Sequence, residues 1–416
     1  MELELKLKKI KAAAKHLRLA DVKKRNLVLK KAAELLLKNT QQVLAANAID
    51  LKSLDSSVSP AFRDRLVLNE QRIKHMSVSL KQVASLADPL ASESKIKILK
   101  NGLKLKKVRA PLGVVFMIFE SRPNVALEAF SMGFKSGNAM ILRGGKESQR
   151  TTKVLYDILA KSIQAVGLPS EILWGITDSN RDIVNKLLTQ KEYVDVVVPR
   201  GGEGLINFVV ENSLIPIIKN DRGLCHIFVN DDANLEMAVD ILVNAKTQRP
   251  AVCNSMETIL VHKKIADKLL PQVFEKMQKF NVQWYGCSQT RKILKQRSQV
   301  FAATEKNYNT EYLEQIVNCK VVSGVTEAIE HIEKFGSGHS EAIITKKTKL
   351  ARQFQNEVDA AVVYWNASTR FTDGFEFGLG GELGISTQKL HVRGPVGLQA
   401  LTNERWVVDG TGQIRI

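Results

Sequence analysis

The chain has 416 residues, 44% of them hydrophobic and 25% charged, with a formal net charge of +18 at pH 7. A chain of this length can bury large cores and suggests two or three domains. No apolar run nears the ~20 residues of a membrane span, and lysines break up the N-terminal stretch, so neither a membrane partner nor a secretory leader is expected and the location read is cytoplasmic. The four cysteines, Cys225, Cys253, Cys287 and Cys319, form no Cys-x-x-Cys pair, and no His cluster has ligand spacing, so free thiols are expected rather than a disulfide framework or a metal site.

The charge is unevenly placed. Residues 1–110 carry 25 Lys and Arg against 10 Asp and Glu. Within them, apolar residues at helical spacing over Leu3–Leu19, Val22–Leu44 and Ile73–Leu86 predict amphipathic helices with solvated basic faces. The stretch Lys95–Val108 holds Asn101-Gly102 between two short β-like runs, which predicts a hairpin with a type I′ turn. Lysine-rich strands of this kind suit a sheet edge or a subunit contact. Lys95–Arg109 contains no aromatic residue to stack on bases, so no nucleic-acid partner is expected.

From Pro111 the pattern becomes strands alternating with helices. Val114–Phe119, Ala139–Leu142, Ile172–Ile176, Val194–Val198, Ile215–Ile218 and Cys225–Val229 read as buried strands, with helices over Thr151–Ala165, Arg181–Leu188 and Gly202–Val210. This alternation predicts parallel strands with crossover helices, a doubly wound α/β sheet. Two strands run into glycine turns, Arg143-Gly144-Gly145-Lys146 and Arg200-Gly201-Gly202. Such turns bring backbone N–H groups close to a phosphate, or simply make tight strand-to-helix connections. Neither matches Gly-x-Gly-x-x-Gly; Arg143 and Lys146 would suit a ribose 2′-phosphate, which points to NADP over NAD.

A second α/β unit follows. A helix over Leu235–Val243 ends before Pro250, and a strand begins at Glu257, which sets Cys253 on the loop between them. A cysteine there is either a nucleophile, its thiolate favoured by nearby Lys246 and Arg249, or a packing residue. Further elements are read at Ile265–Phe280 (helix), Lys320–Val322 (strand), Val325–Lys334 (helix), Ala342–Thr345 and Ala361–Tyr364 (strands), with a loop-rich insertion over Ser288–Glu311. The last 50 residues crowd polar side chains beside glycines, which suits a small polar ligand better than a plain loop.

Several of these segments carry a specific resemblance. Phe119-Glu120-Ser121-Arg122-Pro123-Asn124-Val125, Ser136–Ala139 through Leu142–Glu147, Asn244–Pro250 ahead of Cys253-Asn254, Gly338–Ile343, Asn366–Asp373 and His391–Pro395 together resemble the γ-glutamyl phosphate reductases, of the aldehyde dehydrogenase superfamily. The resemblance implies a Rossmann-type cofactor domain, an α/β catalytic domain and a β-arm for oligomerisation. Placed on this chain, the domains are 1–223 with the hairpin 95–109, 224–364, and 365–416 returning to the first domain and the arm. It implies NADPH-dependent reduction of γ-glutamyl phosphate to glutamate 5-semialdehyde and phosphate, in proline synthesis, with Cys253 as nucleophile through a thioester. The Cys253 N–H and the Asn124 amide are then the candidate oxyanion donors. Arg143, Gly144, Gly145, Lys146, Arg200, Gly201, Gly202 and Glu311 fall to the cofactor, Glu311 at the nicotinamide ribose, with Glu314 as its alternative. Arg370 and Asp373, helped by Ser368 and Thr369, would hold the substrate's α-carboxylate and α-ammonium; the alternative is that the two bridge each other in a turn. Arg122, Arg249 or Arg393, with His391 nearby, would meet the phosphate. The water-activating glutamate of hydrolytic members is missing from Asp221–His226, which disfavours the alternative of a hydrolytic aldehyde dehydrogenase. A homo-oligomer and a functional coupling to glutamate 5-kinase complete the expectations.

Overall fold

In the computed structural model, residues 2–415 are described except 179, 221, 296 and 298. By its packing the chain forms two units: one comprises the chain up to Lys219, Gly378–Gly384 and the tail from Val396; the other comprises Asn220–Phe377 and Ile385–Pro395.

In the first unit the basic front folds into helices Glu2–Leu19, Val22–Lys38, Thr40–Lys52, Pro60–Leu66 and Glu70–Ser85. Leu7, Ile10, Leu17, Val28, Leu29, Ala32, Leu36 and Leu80 are buried, so one stripe of each long helix faces the core and the lysines face water. The single run expected over Val22–Leu44 breaks in two at Asn39, whose amide donates to the Leu35 carbonyl (2.7 Å) and so closes the preceding helix.

The α/β part has four parallel strands in the order Leu173–Ile176, Ala139–Arg143, Val114–Phe119, Val196–Arg200. The chain steps outward twice from Val114–Phe119 and then returns to its other side, so the order reverses between Val114–Phe119 and Val196–Arg200. Ligands of open α/β sheets bind outside the carboxyl ends of the strands at such a reversal. The strand expected at Ile215–Ile218 is only a bridge between Val197 and Ile217; Pro216 has no N–H to extend the ladder. A helix at Pro123–Lys135 was not foreshadowed by periodicity, because it is buried on nearly every side.

The hairpin forms, and a strand from the C-terminus joins it: Lys97–Ile98, Lys104–Pro111 and Thr402–Asp409 make an antiparallel sheet in which Lys104 faces Asp409 and Pro111 faces Thr402. Its turn differs from expectation. Leu99 and Leu103 are bonded across a loop in which only Gly102 has positive φ (+86°), so the turn is three residues with a glycine bulge, not type I′.

The second unit is built on seven parallel strands in the order Val300–Ala302, Gln283–Gly286, Ile316–Val322, Met256–His262, Cys225–Val229, Ser340–Ile344, Val362–Trp365. The insertion expected as loop contains short helices Ser288–Ile293 and Glu305–Tyr308 and the edge strand Val300–Ala302. The helix Thr348–Glu357 buries only Ala351 and Phe354, too few apolar positions to announce itself in the sequence.

The expected boundaries at 223/224 and 364/365 shift. Gly223 belongs with the second unit because its N–H donates to Glu311 (2.8 Å) and that of Leu224 to Ser337 (2.9 Å). Residues 366–377 stay there because Asn254 bonds the carbonyls of Arg370 and Thr372, and 385–395, closed on itself by the pairing of Ile385 and Ser386 with Pro395 and Gly394, does because Lys389 and Arg393 both pair with Asp359 (2.7 Å each).

Candidate active site

The site in the second unit is a loop between a helix and a strand. The helix Leu235–Thr247 runs one turn further than expected and carries Lys246; the strand Met256–His262 follows. Between them Cys253 is partly exposed, whereas Asn254 and Ser255 are buried. The loop is clamped from beneath. The buried Cys225 thiol donates to the Cys253 carbonyl (3.2 Å), and a Cβ on Gly223 would stand 1.7 Å from that same oxygen, so no side chain fits at 223. Burial pushes the thiols of Cys225 and Cys319 well up, which keeps both protonated and inert.

Lys246 does not do what its position in the sequence suggested. Its ammonium lies 2.9 Å from Glu257, and both side chains are buried to within 1%, so its charge is met inside the protein. Burial lowers Lys246 and raises Glu257 to about 7, against the pull each exerts on the other. Arg249 is exposed and makes no ion pair among the described residues, so it is the cation left available near Cys253 in sequence.

Asn254 organises the far side. Its amide N–H groups donate to the carbonyls of Thr372 (2.8 Å) and Arg370 (3.3 Å), its backbone carbonyl accepts from Thr369 Oγ1 (2.8 Å), and its side-chain oxygen accepts from Arg370 Nη1. Thr372 is tied to Ser340 (2.7 Å) and Tyr364 (2.8 Å). Ser368 caps the short turn Thr369–Phe371 by accepting from the Arg370 N–H (3.3 Å). Arg370 is half-buried and has no carboxylate in contact among the described residues; Gln248 Oε1 accepts from its Nε (2.9 Å). Desolvation, then the like charge of Arg249, lower its guanidinium, and Asp373 opposes them. Asp373 does not bridge Arg370: its carboxylate accepts from the Phe375 N–H (2.8 Å). The bridging alternative is therefore not what the structure adopts.

Other expected residues lie in varied surroundings. Glu311 accepts from Gly223 N, one packing contact from the Cys253 carbonyl; Glu314 uses its backbone carbonyl to hold Ile316 N (2.8 Å). Arg393 is engaged by Asp359 (2.7 Å), which also pairs with Lys389 (2.7 Å), so it is no unpaired arginine. His391 is exposed. Of the segment expected to lack a water-activating glutamate, Asp221 lies outside the described residues. Arg222 bonds Asn309 (2.9 and 3.0 Å) and His226 is held by Glu341 (3.0 Å).

In the first unit, the glycine turns sit at the carboxyl end of the parallel strands. A Cβ on Gly144 would touch the Phe119 ring (3.0 Å), one on Gly145 would strike Ser121 Oγ (2.1 Å), and one on Gly201 the Glu120 carboxyl (2.7 Å). Gly202 donates its N–H to Glu120 (2.6 Å), so that donor is already used. Arg143 and Arg200 are half-buried and Lys146 is exposed. Desolvation and the like charges of Arg65 and Arg200 lower the Arg122 guanidinium; desolvation and Arg181 lower that of Arg143. Arginines gathered at the carboxyl ends of the strands, beside a strand-order reversal, fit a nucleotide phosphate. Asn124, on the first turn of Pro123–Lys135, donates to Glu128 (2.8 Å).

Sequence reasoning passed over Gln248, Thr372, Ser340, Tyr364 and Glu120. Asn254 was visible beside Cys253, but only the tertiary fold shows what its amide holds.

The aldehyde dehydrogenase family model matches residues 2–290. The γ-glutamyl phosphate reductases of Carboxydothermus hydrogenoformans and Caldanaerobacter subterraneus subsp. tengcongensis are 48% and 46% identical, covering 98% and 100% of this chain and 98% and 100% of their own. The crystal structure of γ-glutamyl phosphate reductase from Thermotoga maritima matches with a TM-score of 0.97 at 42% identity, all of both chains being covered. An engineered glycolyl-CoA reductase with bound NADP+ shares the fold at a TM-score of 0.68 and 13% identity, covering 97% of this chain and 96% of its own.

Proposed function

The chain belongs to the aldehyde dehydrogenase family, in its γ-glutamyl phosphate reductase branch, and from that membership we propose that Cys253 carries the acyl group in the reduction of γ-glutamyl phosphate. The reaction gives glutamate 5-semialdehyde and phosphate, a step of proline biosynthesis. The observation that carries the assignment of residues is a partly exposed cysteine held by its own carbonyl, near an arginine whose side chain bonds amide oxygens and contacts no carboxylate among the described residues.

The Cys253 thiolate attacks the acyl carbon, the bond to the phosphate oxygen breaks, and phosphate leaves a thioester on Sγ. A bound nicotinamide cofactor would supply the hydride that reduces the thioester; the carbon–sulfur bond would then break, returning Cys253 to the thiolate as the semialdehyde departs. The oxyanion of each tetrahedral stage needs fixed donors, and the Cys253 N–H is the first. Asn124 is the second candidate: one N–H of its amide is held by Glu128, and the other would be the donor.

The first unit is the proposed cofactor domain and the second the catalytic one. Arg143, Gly144, Gly145, Lys146, Arg200, Gly201 and Gly202 would receive the nucleotide, with Arg143 and Lys146 favouring the 2′-phosphate of NADPH, and Glu311 would hold the nicotinamide ribose. Arg370 would take the α-carboxylate, with Ser368 and Thr369 shaping its turn and Asp373 facing the α-ammonium. Arg249 is proposed for the phosphate, with Arg122 and His391 as further candidates and Arg393 contributing only if it leaves Asp359. The three-stranded arm, with Ile96, Ile98, Trp406 and Val408 exposed, is proposed as the contact of a homo-oligomer. Since acyl phosphates hydrolyse readily, functional coupling to glutamate 5-kinase belongs to the same reading.

The test is NADP+ reduction with pyrroline-5-carboxylate as the source of semialdehyde. Strict dependence on inorganic phosphate is expected. Turnover without phosphate would favour the hydrolytic dehydrogenase instead.

A further inference from the structure

Arg370 is held in an unusual way for a half-buried cation. Two of its nitrogens, Nε and Nη1, donate to neutral amide oxygens, Gln248 Oε1 at 2.9 Å and Asn254 Oδ1. No carboxylate of the described residues lies within ion-pair distance, Asp373 being turned to the N–H of Phe375. An amide oxygen fixes a guanidinium almost as well as a carboxylate oxygen does, but it leaves the positive charge uncompensated. Asn254 is itself immobile: it is 4% exposed, and its own N–H groups are bonded to Thr372 and Arg370 carbonyls. Gln248 caps the helix that precedes the Cys253 loop, its backbone N–H donating to the Asn244 carbonyl. The two amides therefore approach Arg370 from both flanks of Cys253, one before it in the chain and one directly after.

We propose that Gln248 and Asn254 are positioning residues that set substrate selectivity, holding Arg370 in place while keeping its charge unspent for the α-carboxylate of the glutamyl group. This rests on the reading that Arg370 meets that carboxylate. The amide character of the pair is what matters. A carboxylate at either position has nearly the same shape and would hold the guanidinium more tightly, yet it would satisfy the charge before substrate arrives.

The experiment compares Gln248→Glu, Gln248→Met, Asn254→Asp and Arg370→Gln in phosphate-dependent NADP+ reduction, with glutamate 5-semialdehyde and with pentanal, which has the same chain length and lacks the α-substituents. Gln248 is exposed, so its variants fold; Asn254→Asp, which loses two buried donors, is read only alongside its melting temperature. Gln248→Glu is expected to raise KM for the semialdehyde about tenfold or more, with a smaller change in kcat and a matching fall in selectivity over pentanal. Gln248→Met, which removes the acceptor but adds no charge, is expected to do less. A Met variant as severe as the Glu variant, or a Glu variant with the selectivity of the wild type, overturns the proposal. Arg370→Gln keeps the two failures apart: if it leaves the semialdehyde KM unchanged, the carboxylate reading falls and the inference with it. If it raises KM while Gln248→Glu does not, the inference alone is overturned.

Discussion

Among the four cysteines, surroundings separate Cys253 from the rest. Cys225 and Cys319 are buried and held protonated, and Cys287 accepts from the N–H groups of Thr290 (3.5 Å) and Val321 (3.4 Å) as part of the start of a short helix. Cys253→Ser is expected to abolish reductase turnover while circular dichroism and melting temperature stay close to wild type, because a serine hydroxyl is a far weaker nucleophile than a thiolate and an alkoxide is a poor leaving group. Wild-type turnover in that variant would remove the nucleophile assignment. Lys246 and Glu257 answer to a different logic. Lys246→Met leaves a buried carboxyl without its counter-charge and should cost ~3–5 kcal/mol in denaturant unfolding at pH 8. A loss under 1 kcal/mol would mean that the pair is neutral in the folded protein.

At the level of elements, the site depends on turns whose residues have no room to change. Gly223 ends the approach to the strand Cys225–Val229, and the Cys253 carbonyl occupies the place its Cβ would take. Gly223→Ala should therefore lower both the melting temperature and the turnover, by displacing the loop that holds the thiol. Unchanged kcat in that variant would show that the loop tolerates the shift. The same closeness explains why two glycine turns in the first unit resist a simple phosphate-loop reading. Gly145 and Gly201 are required by Ser121 and Glu120 packed over them, so part of their glycine requirement is structural even if a nucleotide also lies there.

For the molecule as a whole, pH acts through the buried carboxyl of Glu257. Its folded value of about 7 lies above the 4.5 of an unfolded carboxyl, so between those values the folded state holds a proton that the unfolded state has released. The resulting stabilisation is fully present below pH 4.5 and is lost as pH rises towards about 7. Melting curves of wild type and Glu257→Gln should thus differ in slope between pH 5 and 7, with the variant lacking this fall; parallel curves would show that Lys246 keeps Glu257 ionised. Assembly is tested on the arm. Trp406 is 59% exposed and faces Lys107 across the ladder, so Trp406→Lys should shift light-scattering mass towards the monomer if the arm joins subunits, and an unchanged mass would place the contact elsewhere.

What the sequence determined by itself is whatever rests on neighbours along the chain. Hydrophobic alternation and short breaks were enough for the parallel α/β organisation, the basic amphipathic front, the hairpin, and the setting of Cys253 between a helix and a strand, because strand and helix periods are local properties. The ordered motifs also carried the resemblance to the family. Tertiary structure decided the rest. Thr402–Asp409 joins a hairpin some 300 residues earlier, and Lys246 spends its charge on Glu257 rather than on the thiol. Arg370 is held by Gln248 and Asn254 rather than by Asp373 three residues away. A side chain's charge and hydrogen bonds are settled by whichever partners the fold brings within about 3 Å, and those partners lie at separations that no sequence period encodes.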